Sequence, residues 1–60
     1  MNYKIYQLDT SNADKPEVLI DIVSGHEQAE ERIQRLYKYD FESNNTGANG
    51  YPYLYEAEAL

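Results

Sequence analysis

Residues 24–39 constrain this chain more than any other stretch. Advanced by about 100° per residue, Ala29, Ile33 and Leu36 fall in one narrow stripe, flanked by Tyr37 and His26. Glu27, Glu31, Gln34, Arg35 and Lys38 fall on the opposite side. The stretch contains no proline and no β-branched run. Acids fill its first half (Glu27, Glu30, Glu31) and bases its second (Arg32, Arg35, Lys38), the order that suits the helix dipole. Glu31 and Arg35 form an i,i+4 pair in the favoured direction. One amphipathic helix is therefore expected. Ser24 and Glu27 read as a capping box, in which each side chain accepts from the other's backbone amide. Gly25 lets the chain turn out of whatever precedes the helix. Asp40 would enter the apolar stripe if the helix continued, so the end is placed near Tyr39, with Phe41 tucking beneath it.

A helix with one apolar stripe has to bury it against a second layer, and the flanking segments read as strands. Residues 2–8 have β propensity and no breaker. Tyr3 and Ile5 point one way; Lys4, Tyr6 and Leu8 point the other. Residues 9–17 collect Asp, Ser, Asn and Pro, the chemistry of turns, and read as a solvated hairpin connection. That connection is long for a hairpin, which leaves a functional loop as the alternative. Residues 18–23 form the clearest strand, with Val18, Ile20 and Ile22 on one face and Leu19, Asp21 and Val23 on the other. The carboxylate of Asp21 marks its face as the solvent side, because a lone buried carboxylate is costly. Residues 43–50 read as a flexible loop, with Asn49 and Gly50 as a turn signal. Residues 51–58 form the last strand: Tyr51, Tyr53, Tyr55 and Ala57 share one face, and Leu54, Glu56 and Glu58 the other. Pro52 cannot donate to a ladder, which puts it at the strand start or on an edge.

The expected architecture is one small α+β domain spanning residues 1–60, of order ββαβ. Its antiparallel sheet has three strands in the order 2-1-3, with one helix packed on one face and a right-handed crossover. In that packing Ile33 and Leu36 of the helix meet Ile20 and Ile22 of the second strand. A sixty-residue chain buries only about 60% of its unfolded surface, so the domain is marginal in size. No motif ties it to a family.

The chemistry available is narrow. There is no cysteine, which removes disulfides, thiolate metal sites and cysteine nucleophiles together and favours a cytoplasmic setting. No apolar run approaches a membrane span, and no basic segment followed by an apolar core opens the chain, so no signal peptide is expected. The Asn44-Asn45-Thr46 sequon is then a coincidence. The formal charge is −6, and residues 24–39 hold three acids and three bases, so the imbalance lies outside them. Direct nucleic-acid binding needs a basic footprint, and an anionic membrane repels such a chain; neither partner is expected. Gly47 and Gly50 lack the Lys and Ser/Thr of a phosphate loop. His26 reads as an exposed first-turn residue, with Ser24 as its only nearby nucleophile and that serine engaged as a cap. The acids lack the spacing of a calcium loop, so neither a metal nor a cofactor is expected, and no catalytic constellation points to an enzyme. The seven tyrosines read first as core and second as a partner surface.

If Tyr3, Ile5, Val18, Ile20, Ile22, Tyr53 and Tyr55 meet the helix, the other sheet face has no cover within the chain. That face would gather Tyr6, Leu8, Leu19, Asp21, Val23, Leu54, Glu56 and Glu58 around Lys4, an apolar patch with an acidic rim. The expected function is a non-enzymatic interaction module that dimerises or docks on a larger protein through these residues. An accessory protein of a mobile genetic element is one setting for such a module. The alternative is an acidic nucleic-acid mimic that inhibits a DNA- or RNA-handling enzyme.

Overall fold

The computed structural model describes residues 1–10, 17–47 and 50–60. Most of the connection expected over residues 9–17, and the Asn49 half of the expected turn, lie outside the described residues.

The elements are β1 (Asn2–Asp9), β2 (Val18–Ser24), α1 (His26–Ser43) and β3 (Tyr53–Ala59). The sheet runs β2-β1-β3, with β1 antiparallel to both neighbours. The ββαβ order and the 2-1-3 arrangement are as expected. β1 is the middle strand, and its Ile5 is fully buried. Among the described residues the other buried apolar side chains are Ala29 of α1 and Tyr55 of β3, so the core is a short column under the helix.

The register decides which residues the helix covers. Ile5 faces Asp21 and Ala57, Tyr3 faces Val23 and Ala59, and Gln7 faces Val18 and Tyr55. These residues lie on the helix side. Lys4 faces Ile22 and Glu58, Tyr6 faces Leu19 and Glu56, and Leu8 faces Leu54. These form the open side. Between the pairs Ile5–Asp21 and Tyr6–Leu19 the register slips by one residue. Ile20 is the extra residue of that β-bulge, and a bulge changes the parity of everything beyond it. Val18 thus lies on the helix side together with Asp21 and Val23, while Ile22 turns outward and is 51% exposed.

This corrects the expected contact of Ile33 and Leu36 with Ile22. Both helix residues are half-buried, and Ile22 is on the far side of the sheet. It also corrects the placement of Asp21 as a solvent marker. The Asp21 carboxylate accepts from Arg32 Nε at 2.9 Å and from the Ile22 amide at 2.8 Å. A cation reaching down from the helix removes the cost that made the inward placement look unfavourable.

Both helix ends also differ from expectation. Ser24 closes β2 opposite Asn2, so its hydroxyl is not placed over the first turn and no capping box forms. The N-cap is Gly25, at φ 93° and ψ 146°, with no side-chain cap. That backbone conformation costs a Cβ-bearing residue but not glycine. The Gly25 amide donates to the Met1 carbonyl at 2.8 Å, tying the helix start to the beginning of β1. At the other end α1 runs through Asp40 to Ser43 and stops at Asn44, in the left-handed conformation (φ 55°, ψ 38°). The Asn44 and Asn45 amides both turn back to the Asp40 carbonyl, the latter at 2.9 Å, the arrangement that satisfies a helix C-terminus. Phe41 does not tuck under the end; it is 88% exposed.

Candidate functional site

The open side of the sheet carries Tyr6, Leu8, Leu19, Ile22 and Leu54 at its centre. Lys4, Glu56 and Glu58 lie along the β1–β3 half, with Lys4 directly opposite Glu58 and Tyr6 opposite Glu56. Leu19, Ile22 and Leu54 each leave about half of their surface to solvent (46%, 51% and 47%). No described element crosses this side, and the Cα envelope is only 11 Å thick in its shortest dimension, the depth of one helix laid on one sheet. The apolar residues are neighbours across three strands, so their exposed parts form one patch and not scattered points.

Of the residues expected on this face, Tyr6, Leu8, Leu19, Leu54, Glu56 and Glu58 are brought together. Asp21 and Val23 are not; the bulge turns both toward α1. Ile22 takes their place on the face. The sequence signal that could have exchanged them is Arg32, one turn after Gln28 on the flank of the apolar stripe and able to meet an inward carboxylate.

The helix side holds a second polar assembly. Asp40 and Tyr55 are both buried. The Tyr55 hydroxyl donates to Asp40 Oδ2, and Asn45 Nδ2 donates to Asp40 Oδ1 at 3.0 Å. Gln7 Nε2 donates to the Tyr55 hydroxyl at 3.3 Å. The Tyr37 hydroxyl accepts from the Tyr55 amide at 3.1 Å, and the two rings meet edge to face at 5.1 Å. Tyr55 belongs to β3, an outer strand, so the Tyr37 hydroxyl occupies one of the amides that the sheet edge would otherwise leave open. Burial, followed by the bond to the Asp40 carboxylate, pushes the Tyr55 hydroxyl from 10.0 up to about 12, with the Gln7 amide pulling the other way. The seven tyrosines therefore divide: Tyr55 is core, Tyr3, Tyr6 and Tyr53 are half-buried, and Tyr37, Tyr39 and Tyr51 are exposed.

His26 stands at the first turn of α1, its ring edge-on to Tyr3 at 6.0 Å and its Nε2 3.5 Å from Glu30 Oε1. Its side chain is well exposed. Gly47 is buried against β1: a Cβ there would come within 2.8 Å of the Asp9 carboxyl carbon. Among the described residues no three His, Asp or Glu side chains converge as metal ligands, and no helix is long and apolar enough to cross a membrane.

The fold and this face define a small α+β protein, a three-stranded antiparallel sheet with a helix on one side and an unsheltered apolar patch on the other. Comparison with family models, with curated proteins and with solved structures returned no match.

Proposed function

We propose that the protein is a non-enzymatic interaction module of the cytoplasm that docks on a larger protein through the open side of its sheet. The observation that carries this reading is the register itself, which gathers Tyr6, Leu8, Leu19, Ile22 and Leu54 on one side with Glu56 and Glu58 beside them. The partner surface that fits is an apolar strip flanked by lysine or arginine, because the chain carries a net charge of −6 and complementary rims set register and speed encounter. Two copies meeting through this face would have to bring together two chains of the same sign, so a basic partner is favoured over a homodimer. A nucleic-acid mimic is less well supported. It would need Asp21, Glu56 and Glu58 on one surface, and Asp21 is on the helix side with Arg32.

The test compares the parent with Leu19→Lys and Leu54→Lys, with a Glu56→Gln, Glu58→Gln double variant, and with a helix control in which Glu31 and Arg35 are exchanged. Capture of a partner from the source cell, and sedimentation of the isolated chain, are each run over a salt series. The reading expects both lysine variants to abolish binding with unchanged melting, the glutamine variant to weaken it only at low salt, and the helix control to bind like the parent. A parent that sediments as a dimer, dissociated by Leu54→Lys, identifies self-association as the use of the face. Binding lost with the glutamine variant and kept with both lysine variants supports the mimic. Binding lost only in the helix control places recognition on the other side of the molecule.

A further inference from the structure

The end of α1 and the segment leading into β3 enclose a groove of about 440 Å³. Its walls are aromatic and apolar: Tyr37 and Phe41 from the helix, Pro52 from just before β3 and Tyr53 from its first position. Asp40 is also among the lining residues, and among the described residues its carboxylate accepts from the neutral donors Tyr55 and Asn45. The last turn of the helix holds no basic residue, so nothing there offsets the negative end of the helix dipole. The nearest base in sequence, Lys38, lies 3.8 Å from Glu42. Another groove along the helix, beside Val23, differs in this respect: its Arg32 and Arg35 are already paired with Asp21 and Glu31.

We propose that this groove receives the guanidinium of an arginine side chain from a partner protein, lodged against the Tyr37, Phe41 and Tyr53 rings above the Asp40 carboxylate. Aromatic faces attract cations. A planar guanidinium combines ring stacking with directional donation in a way that a lysine ammonium does not, and Asn44 and Thr46, also in the lining, are residue types that carry a side-chain oxygen acceptor. A groove with aromatic and apolar walls, and with Asp40 as the one charged residue in its described lining, is a poor site for a neutral polar group and an unfavourable one for an anion. The site is on the helix side of the sheet, separate from and independent of the open face proposed for docking. The exposure of Phe41, large and unsupported at the helix end, then has a use.

The test is a titration of the ¹⁵N-labelled intact chain with N-acetyl-arginine-N-methylamide, followed by amide shifts. The citrulline counterpart, which has the same shape without the charge, serves as the control at matched ionic strength. Saturable shifts at Tyr37, Asp40, Phe41, Asn44 and Tyr53 are expected, with citrulline about tenfold weaker. Phe41→Leu keeps an apolar side chain and removes the ring, and it should weaken arginine binding roughly two- to five-fold. Phe41 makes no core contact that would be lost, and the dispersion of the spectrum reports the fold directly. Leu54→Lys on the opposite side should bind arginine like the parent, which separates this site from the open face. The proposal is overturned by the absence of a saturable shift, by equal response to arginine and citrulline, by shifts spread over Glu56 and Glu58 with the groove silent, or by Phe41→Leu binding as well as the parent.

Discussion

Replacing Tyr55 with phenylalanine removes one oxygen from the most buried polar cluster among the described residues. The ring remains, and with it the edge-to-face contact with Tyr37 and the amide bond to the Tyr37 hydroxyl. Two hydrogen bonds are lost. Gln7 is half-buried and its amide can turn to water, so its loss costs little. Asp40 is 8% exposed and keeps only the Asn45 amide among the described side chains. A hydrogen bond to a charged group contributes about 1.5–3 kcal/mol, and the partner left behind pays its desolvation in full. A loss of about 2 kcal/mol should lower the melting temperature of a domain this small by roughly 8–16 °C, read by far-UV circular dichroism. Urea unfolding with an unchanged slope would show that the native state is otherwise the same. The pH dependence gives an independent check. The folded chain holds the Tyr55 proton up to about 12, against 10.0 for an ordinary tyrosine. A raised value means that this contribution is fully present below pH 10 and is lost as pH climbs toward 12. At about 1.4 kcal/mol per tenfold, roughly 2–3 kcal/mol of parent stability is at stake in that window. The variant lacks it, so the parent should lose stability faster than Tyr55→Phe above pH 10, with the other six tyrosines common to both. A variant melting within about 2 °C of the parent, or parallel stability curves above pH 10, would refute the assignment of Tyr55 and Asp40 as a coupled buried pair.

At the helix start, Gly25→Ala should cost about 1–2 kcal/mol because φ is 93° there, whereas Ser24→Ala should change stability by less than about 0.5 kcal/mol, since no side chain caps the helix; chemical denaturation of both variants decides between them. In the sheet, Ile5→Ala should cost about 2–5 kcal/mol and Ile22→Ala much less, because the first is fully buried and the second faces outward; equal losses would show that the register has been misread.

Patterns of period two and period 3.6 were enough to place the elements. Residues 2–8, 18–23 and 24–39 carry apolar spacings that suit strand, strand and helix, and the order of these elements leaves few sheet arrangements that put both outer strands antiparallel to the first. The two sides of β3 were legible from Glu56 and Glu58 on one face and Tyr53, Tyr55 and Ala57 on the other, whereas β1, with Tyr3 and Ile5 on one side and Tyr6 and Leu8 on the other, did not show which side the helix covers. What the sequence could not show was parity in β2. Its alternation is equally regular whichever face is inward, and the bulge at Ile20 arises only once Ile5 and Tyr6 impose their spacing on it. The pairing of Asp21 with Arg32 joins residues eleven apart, one on a strand and one on a helix, and no local rule sees that. Asp40 shows the same limit. By the cost of a buried carboxylate alone it should end the helix. The helix continues because Tyr55, fifteen residues on, and Asn45 arrive to satisfy it. Local spacing determined what each segment is, because propensity and amphipathicity act between near neighbours. Only the assembled structure decided which charges could be turned inward, because a buried charge is tolerated or excluded according to partners that the fold itself delivers.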